Sequence, residues 1–236
     1  KKLLGNIKNE DVEKIFITAS GGPFLNLPKN KFKFITPKDA IKHPKWSMGK
    51  KISIDSATLM NKVLELIEAY KLFPYNFNKY EILIHPQSLV HAIVKLKNGI
   101  TKLLYHQPDM TIPIANAIFN FKLNINSLSI KNKNIESLNF FKVDKKKFPI
   151  VKLIPLLNKY ISTPIIINAA NEILIDQFLK KKISYNSISL YIFKVLKDKN
   201  YKKYAIHKPN NLNNIYIIDS WSRETTLRYI NKNKIK

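Results

Sequence analysis

Apolar and polar positions repeat with two different periods along this chain, and the period changes near its middle. From about Glu13 to Phe119, strand-like and helix-like segments take turns. VEKIFITAS reads as a buried strand, and SGGP as the loop that leaves it. TPKDAI is a helix start, with Thr36 as N-cap, Pro37 at the first helical position and Asp39 near the positive end of the dipole. ISID reads as a short strand, and Ser56 to Phe73 as a helix closed by Pro74. YEILIH predicts another strand. SLVHAIVKLKNGITKLLYH predicts two strands joined at Asn98-Gly99, the strongest hairpin signal in the chain.

Past Phe119 the texture changes. Residues 120 to 147 are rich in Asn, Lys and Ser and read as a long surface connection, with Pro149 following. From there, apolar residues recur at helical spacing in four segments: Val151 to Ile161, Pro164 to Leu179, Asn186 to Leu196 and Ser220 to Ile230. The expected architecture is α+β: a domain with a β-hairpin-containing sheet over residues 1–120, a linker over 121–148 and a small all-α C-terminal domain over 149–236.

Composition narrows the function classes. At 236 residues and 45% hydrophobic, the chain can bury one large core or two modest ones. No apolar run approaches the roughly 20 residues needed to cross a bilayer, and the first residues lack a signal-peptide pattern, so no membrane partner is expected. With no cysteine there is no disulfide or thiolate metal site, and a cytoplasmic location fits. The net charge of +25 would suit a nucleic-acid partner. Yet only Arg223 and Arg228 among the 41 basic residues are arginines, and nucleic-acid readers rely on the arginine fork. Lys, Asn and Ile share A+T-rich codons, so the charge reads as compositional drift, and nucleic-acid binding is not expected.

Candidate chemistry concentrates in HPKWSMGKKISIDSATLMNKVLE, residues 43 to 65. Ser56, between the expected strand and helix, is a natural N-cap whose neighbours present free N–H groups to an anion. Asn61 and Glu65 are four apart, and Lys62 and Glu65 three apart, so all three share a helix flank while Leu59, Val63, Leu66 and Ile67 occupy another. Such a flank suits a phosphorylated, metal-chelating small molecule. Spacing alone equally allows Lys62 and Glu65 to be an ordinary surface pair and Ser56 only a cap. The loop holding His43, Trp46 and Met48, between Pro44 and Gly49, reads either as a lid over a ligand or as packing. Ser20-Gly21-Gly22 after a strand can cradle phosphate, though two glycines are a weak signal. His85, His91, His106 and His207 lack metal-ligand spacing and read as structural.

SGGPF at 20–24, the 43–65 block, LIHPQSLVH at 83–91, PDM at 108–110 and NAANE at 168–172 together resemble the 1-deoxy-D-xylulose 5-phosphate reductoisomerase family, in order and across most of the chain. The resemblance implies that the α+β domain is catalytic. It further implies conversion of 1-deoxy-D-xylulose 5-phosphate to 2-C-methyl-D-erythritol 4-phosphate in isoprenoid precursor synthesis, with NADPH and Mg²⁺ or Mn²⁺, in a homodimer. Carried over position by position, Glu65 matches a metal-binding carboxylate, and Ser20, Ser56, Asn61 and Lys62 match groups that bind the phosphate end. His43 matches a substrate-contacting histidine, Trp46 and Met48 an apolar cover, and Gly49 a glycine near the nicotinamide.

Two departures qualify the match. The only glycines are Gly5, Gly21, Gly22, Gly49 and Gly99, so the dinucleotide-binding turn with which the family begins cannot form. The family's Asp-Ser-Glu metal segment is also absent. The expectation is therefore a chain holding the catalytic and C-terminal portions without the cofactor domain, inactive alone. The alternative is a remnant that binds a phosphosugar or a partner chain without catalysis.

Overall fold

The structure is a computed structural model that describes residues 3–42, 48–73, 75–119 and 137–232. Contacts group the chain into two compact units, Lys1–Gly21 with Leu72–Val143, and Gly22–Lys71 with Asp144–Lys236. The candidate helix flank thus clusters with the C-terminal helices, whereas the sequence division placed it in the block 1–120.

The first unit is built on a mixed sheet. Strand β1 (Val12–Ala19) pairs in parallel with β2 (Tyr80–Ile84) and antiparallel with β3 (Val90–Leu96). The hairpin forms where Asn98-Gly99 predicts it: β3 pairs with β4 (Thr101–Tyr105), and Gly99 turns at φ 89°. A two-residue strand β5 (Phe141–Lys142) adds to β2, giving the order β4-β3-β1-β2-β5. β5 falls within the expected surface connection; residues 120–136 of that connection lie outside the described residues. β1 and β3 bury Val12, Ile15, Val90, Ile93 and Val94, while β4 is exposed along its whole length. Helix α4 (Thr111–Ile118), which the sequence reading did not anticipate, follows the hairpin with Ile114 and Ile118 exposed.

The second unit is helical. Helix α1 (Pro37–Ala40) has the expected cap: the Asp39 N–H donates to Thr36 Oγ1, and the Thr36 N–H to the Asp39 carboxylate at 3.0 Å. ISID is not a strand. It lies inside α2 (Lys50–Thr58), where the Asp55 carboxylate accepts from Asn171 and the Ala57 carbonyl from Tyr185. The expected single helix from Ser56 is therefore two. Leu59 adopts a left-handed φ of 65°, the Thr58 hydroxyl accepts from the Met60 N–H at 3.3 Å, and α3 (Met60–Leu72) follows. Met60, Val63 and Leu66 form the buried side of α3.

Of the four C-terminal helices expected, Pro164 to Leu179 and Asn186 to Leu196 match α5 (Thr163–Leu179) and α6 (Tyr185–Leu196). Val151 to Ile161 is instead a 3₁₀ segment, Pro149–Leu156, since Pro155 inside it denies regular α bonding. A short α7 (Tyr201–Ala205) precedes α8 (Leu212–Lys232), which starts eight residues before the expected Ser220. The core is fully buried at Ile166, Ile167, Leu174 and Ile192.

Gly22 is where glycine is required. Its φ is 65°, and a Cβ there would lie 2.9 Å from the Ser56 carbonyl oxygen and 3.1 Å from Ala57 Cα. Gly22→Ala is expected to destabilise the second unit by about 1–3 kcal/mol, through left-handed strain and the clash with α2. A thermal melt at the wild-type midpoint would contradict this.

Candidate functional site

The site is built from α2, the left-handed step at Leu59 and the first two turns of α3. Asn61, Lys62 and Glu65 do share one flank. Asn61 Nδ2 donates to Glu65 Oε1 at 2.7 Å, and Lys62 Nζ lies 2.8 Å from both Glu65 oxygens. The pair is partly shielded, with side-chain exposures of 22% for Lys62 and 35% for Glu65. An amide, an ammonium and a carboxylate thus converge on one half-buried point; the amide and ammonium are the kind of donors that meet a phosphate or phosphonate, and here both are taken up by the Glu65 carboxylate.

Ser56 stands elsewhere than expected. It is no N-cap but a half-buried residue in the last turn of α2, whose N-cap is Gly49. Its approach to α3 runs through the turn in which Leu59 N–H donates to the Ser56 carbonyl at 3.2 Å. Gly49 caps with φ −58°, and a Cβ there would meet nothing within 4 Å, so nothing described in this chain demands glycine at that place. Met48 is half-buried just before it. His43 and Trp46, with the centre of the expected lid, lie outside the described residues. Ser20 follows β1 in the first unit and is half-buried.

Beneath α2 lies a polar cluster that the sequence reading passed over. Asp55 is 1% exposed, yet it accepts from Asn171 Nδ2 at 2.7 Å and pairs with Lys51 Nζ at 2.8 Å. Burial pushes its carboxyl above the usual carboxylate range, against the two donors, and the neighbouring Glu172 charge pushes the same way. Glu172 itself accepts from Arg223 at 2.5 Å and from Asn168 at 3.3 Å, and Arg223 also binds Asp219. These two carboxylates push the guanidinium pKa above its usual value. The signal available in sequence was the resemblance motif NAANE itself, which supplies Asn168, Asn171 and Glu172.

The histidines behave as packing groups. His85 is fully buried and stacks on Phe140 at 4.7 Å, and His91 stacks on His106 at 3.7 Å. Among the described residues no three His, Asp or Glu side chains gather as a cation site. Glu65 is a single hard ligand whose oxygens meet Lys62 and Asn61. The described residues therefore fit a divalent cation only as a shared ion, completed by ligands from outside them.

Fold and flank together define a class: an α+β protein with a mixed sheet and a helical portion whose helix α3 carries the Asn61, Lys62 and Glu65 flank. A family model described as the 1-deoxy-D-xylulose 5-phosphate reductoisomerase C-terminal domain matches residues 1–73, and another, the DXP reductoisomerase C-terminal domain, matches residues 106–225. The chain belongs to the 1-deoxy-D-xylulose 5-phosphate reductoisomerase family. The reductoisomerase of Pelagibacter ubique (strain HTCC1062) is 48% identical over 221 residues, 93% of this chain and 57% of that protein. That of Persephonella marina (strain DSM 14350 / EX-H1) is 42% identical over 83% of this chain and 53% of its own length. A crystal structure of DOX-P reductoisomerase in complex with NADPH, fosmidomycin and magnesium superposes with a TM-score of 0.89 at 34% identity, covering 95% of this chain and 56% of that one. The Zymomonas mobilis enzyme in complex with NADPH gives 0.83 at 32% identity, over 97% and 58%. The chain thus spans a little over half the length of the relatives it matches.

Proposed function

We propose that this chain forms the substrate-binding and C-terminal portions of an enzyme that converts 1-deoxy-D-xylulose 5-phosphate to 2-C-methyl-D-erythritol 4-phosphate with NADPH. The observation that carries the reading is the convergence of Asn61, Lys62 and Glu65 on one flank of α3. Lys62 and Asn61 bind the phosphate end with the hydroxyl of Ser56, and the family resemblance assigns Ser20 a phosphate-binding role. Glu65 directs its carboxylate to a shared Mg²⁺ or Mn²⁺, which when bound polarises the substrate oxygens and neutralises developing charge. His43 contacts substrate, Trp46 and Met48 exclude water above it, and Gly49 leaves room for the nicotinamide. Among the described residues nothing stands within 4 Å of a Cβ on Gly49, which supports that last role: Gly49→Ala is expected to leave the melting temperature of this chain unchanged while raising the KM for NADPH in the complete enzyme.

The test is a calorimetric titration of this chain with fosmidomycin, a phosphonate. Lys62→Ala is expected to weaken binding about 10- to 100-fold, the worth of one charge-assisted bond. Equal affinity of wild type and variant would sink the phosphate assignment.

A homodimer agrees with β4, a sheet edge exposed throughout that carries Leu103, Leu104 and Tyr105, and with the exposed Ile114 and Ile118 of α4. A monomeric mass by light scattering would remove that reading. A cytoplasmic location agrees with the lack of cysteine and with the fact that no described helix is long and apolar enough to cross a membrane. No nucleic-acid partner is proposed, because the basic residues are almost all lysine.

The second reading, a phosphosugar- or partner-binding protein without catalysis, is favoured by one observation: the described residues gather no complete cation site. Supplying the part of the Pelagibacter relative that precedes the matched region separates the two, since only the catalytic reading gains NADPH-dependent turnover.

A further inference from the structure

Asp55 is an acid buried under the helix that carries Ser56, and a helix held only by apolar packing would have no need of it. Burying a carboxylate is unfavourable unless hydrogen bonds and charge compensate it, and its usual return is a unique register. Here the compensation comes from two directions. Lys51, one turn earlier on α2, reaches it from the same helix, and Asn171 reaches it from α5. Asn171 is itself fully buried, as are Ala169 and Ala170 before it in α5.

The rotation of α5 is fixed in turn. Arg223 on α8 holds Glu172, the residue after Asn171, and the Ser222 hydroxyl donates to the Ile166 carbonyl at 2.7 Å. A continuous set of directional bonds therefore runs from α8 through α5 to the residue preceding Ser56. An apolar contact tolerates sliding, whereas an amide–carboxylate bond of 2.7 Å does not.

We propose that Asn171 and Asp55 are positioning residues: their buried bond fixes α2, and so sets where Ser56 stands for the ligand's phosphate end. This rests on the phosphosugar reading of Ser56, Asn61 and Lys62.

The test uses this chain, with Asn171→Leu removing the amide and Asp55→Asn keeping size and polarity while discarding the charge. Two quantities are measured: hydrogen exchange of backbone amides in 50–58 and 185–196, and the dissociation constant of fosmidomycin. Asn171→Leu is expected to speed exchange in 50–58, leave 185–196 protected, and weaken fosmidomycin about 10-fold, as for one lost buried bond. Asp55→Asn should change both in the same sense by a smaller factor, and it carries the test if Asn171→Leu does not fold.

Unchanged fosmidomycin affinity alongside faster exchange would overturn the positioning role and leave a purely structural bond. Unchanged exchange in 50–58 would overturn it at its first step. If wild type fails to bind fosmidomycin at all, the phosphosugar reading falls and the positioning role falls with it, while the exchange data still decide whether the bond holds α2.

Discussion

Glu65→Gln is expected to cut turnover by about 10²–10³-fold in an enzyme completed with the preceding part of the Pelagibacter relative, the usual scale for losing one charged group that acts on the transition state. The substitution keeps the shape and one acceptor oxygen, so Asn61 Nδ2 can still be satisfied, and the loss is that of charge alone. Phosphonate affinity should change little, because Lys62 and Asn61 remain. Lys62→Ala should behave oppositely, raising KM more than it lowers kcat, since a contact made equally in ground and transition states acts on binding. Steady-state kinetics of both variants against Mg²⁺ and Mn²⁺ concentration decide between the two roles. Unchanged turnover in Glu65→Gln would leave this carboxylate as no more than the i,i+3 partner of Lys62.

The parts of the fold that were legible in sequence are those where a local signal and the tertiary outcome agree. Thr36-Pro37-x-Asp39 forms its cap, because the bonds close within four residues. Asn98-Gly99 forms its hairpin, because the turn needs a positive φ that glycine supplies. ISID failed for the opposite reason. Four residues cannot distinguish a period of 2 from 3.6, and the arbiter was Asn171, 116 positions from Asp55 in sequence. The misplacement of Ser56 follows from that error. That Asn61, Lys62 and Glu65 share a flank is legible because spacing on one helix fixes their meeting, whatever lies around it. Composition held no trace of the Asp55 cluster, since a buried acid looks like any other until its donors are known.

Tyr185→Ala is expected to give the largest stability loss, about 3–5 kcal/mol on the scale of emptying a buried aromatic site. Its ring meets Phe24 edge-on at 5.3 Å, Phe32 at 5.8 Å and Phe178 at 6.0 Å, and its hydroxyl donates to the Ala57 carbonyl of α2 at 2.7 Å. Tyr185→Phe should keep the ring contacts and leave that carbonyl short of a donor, for about 1–3 kcal/mol. A pH series isolates the hydroxyl. Burial pushes the Tyr185 pKa far above the usual tyrosine value of 10.0, so the folded phenol stays protonated. Below pH 10 the unfolded phenol is protonated too, and the contribution of the bond is complete. Above it only the unfolded phenol ionises, so stability falls as pH rises, by about 1.4 kcal/mol between pH 9 and 11. Tyr185→Phe has no such group, and its deficit relative to wild type should therefore shrink by that amount over the same interval. Lysines and the other tyrosines titrate alike in both proteins and cancel in the difference. Urea unfolding followed by Trp221 fluorescence, with Trp46→Phe in both backgrounds, measures it. A deficit that stays constant from pH 9 to 11 would mean that the Tyr185 hydroxyl is not the buried donor to Ala57.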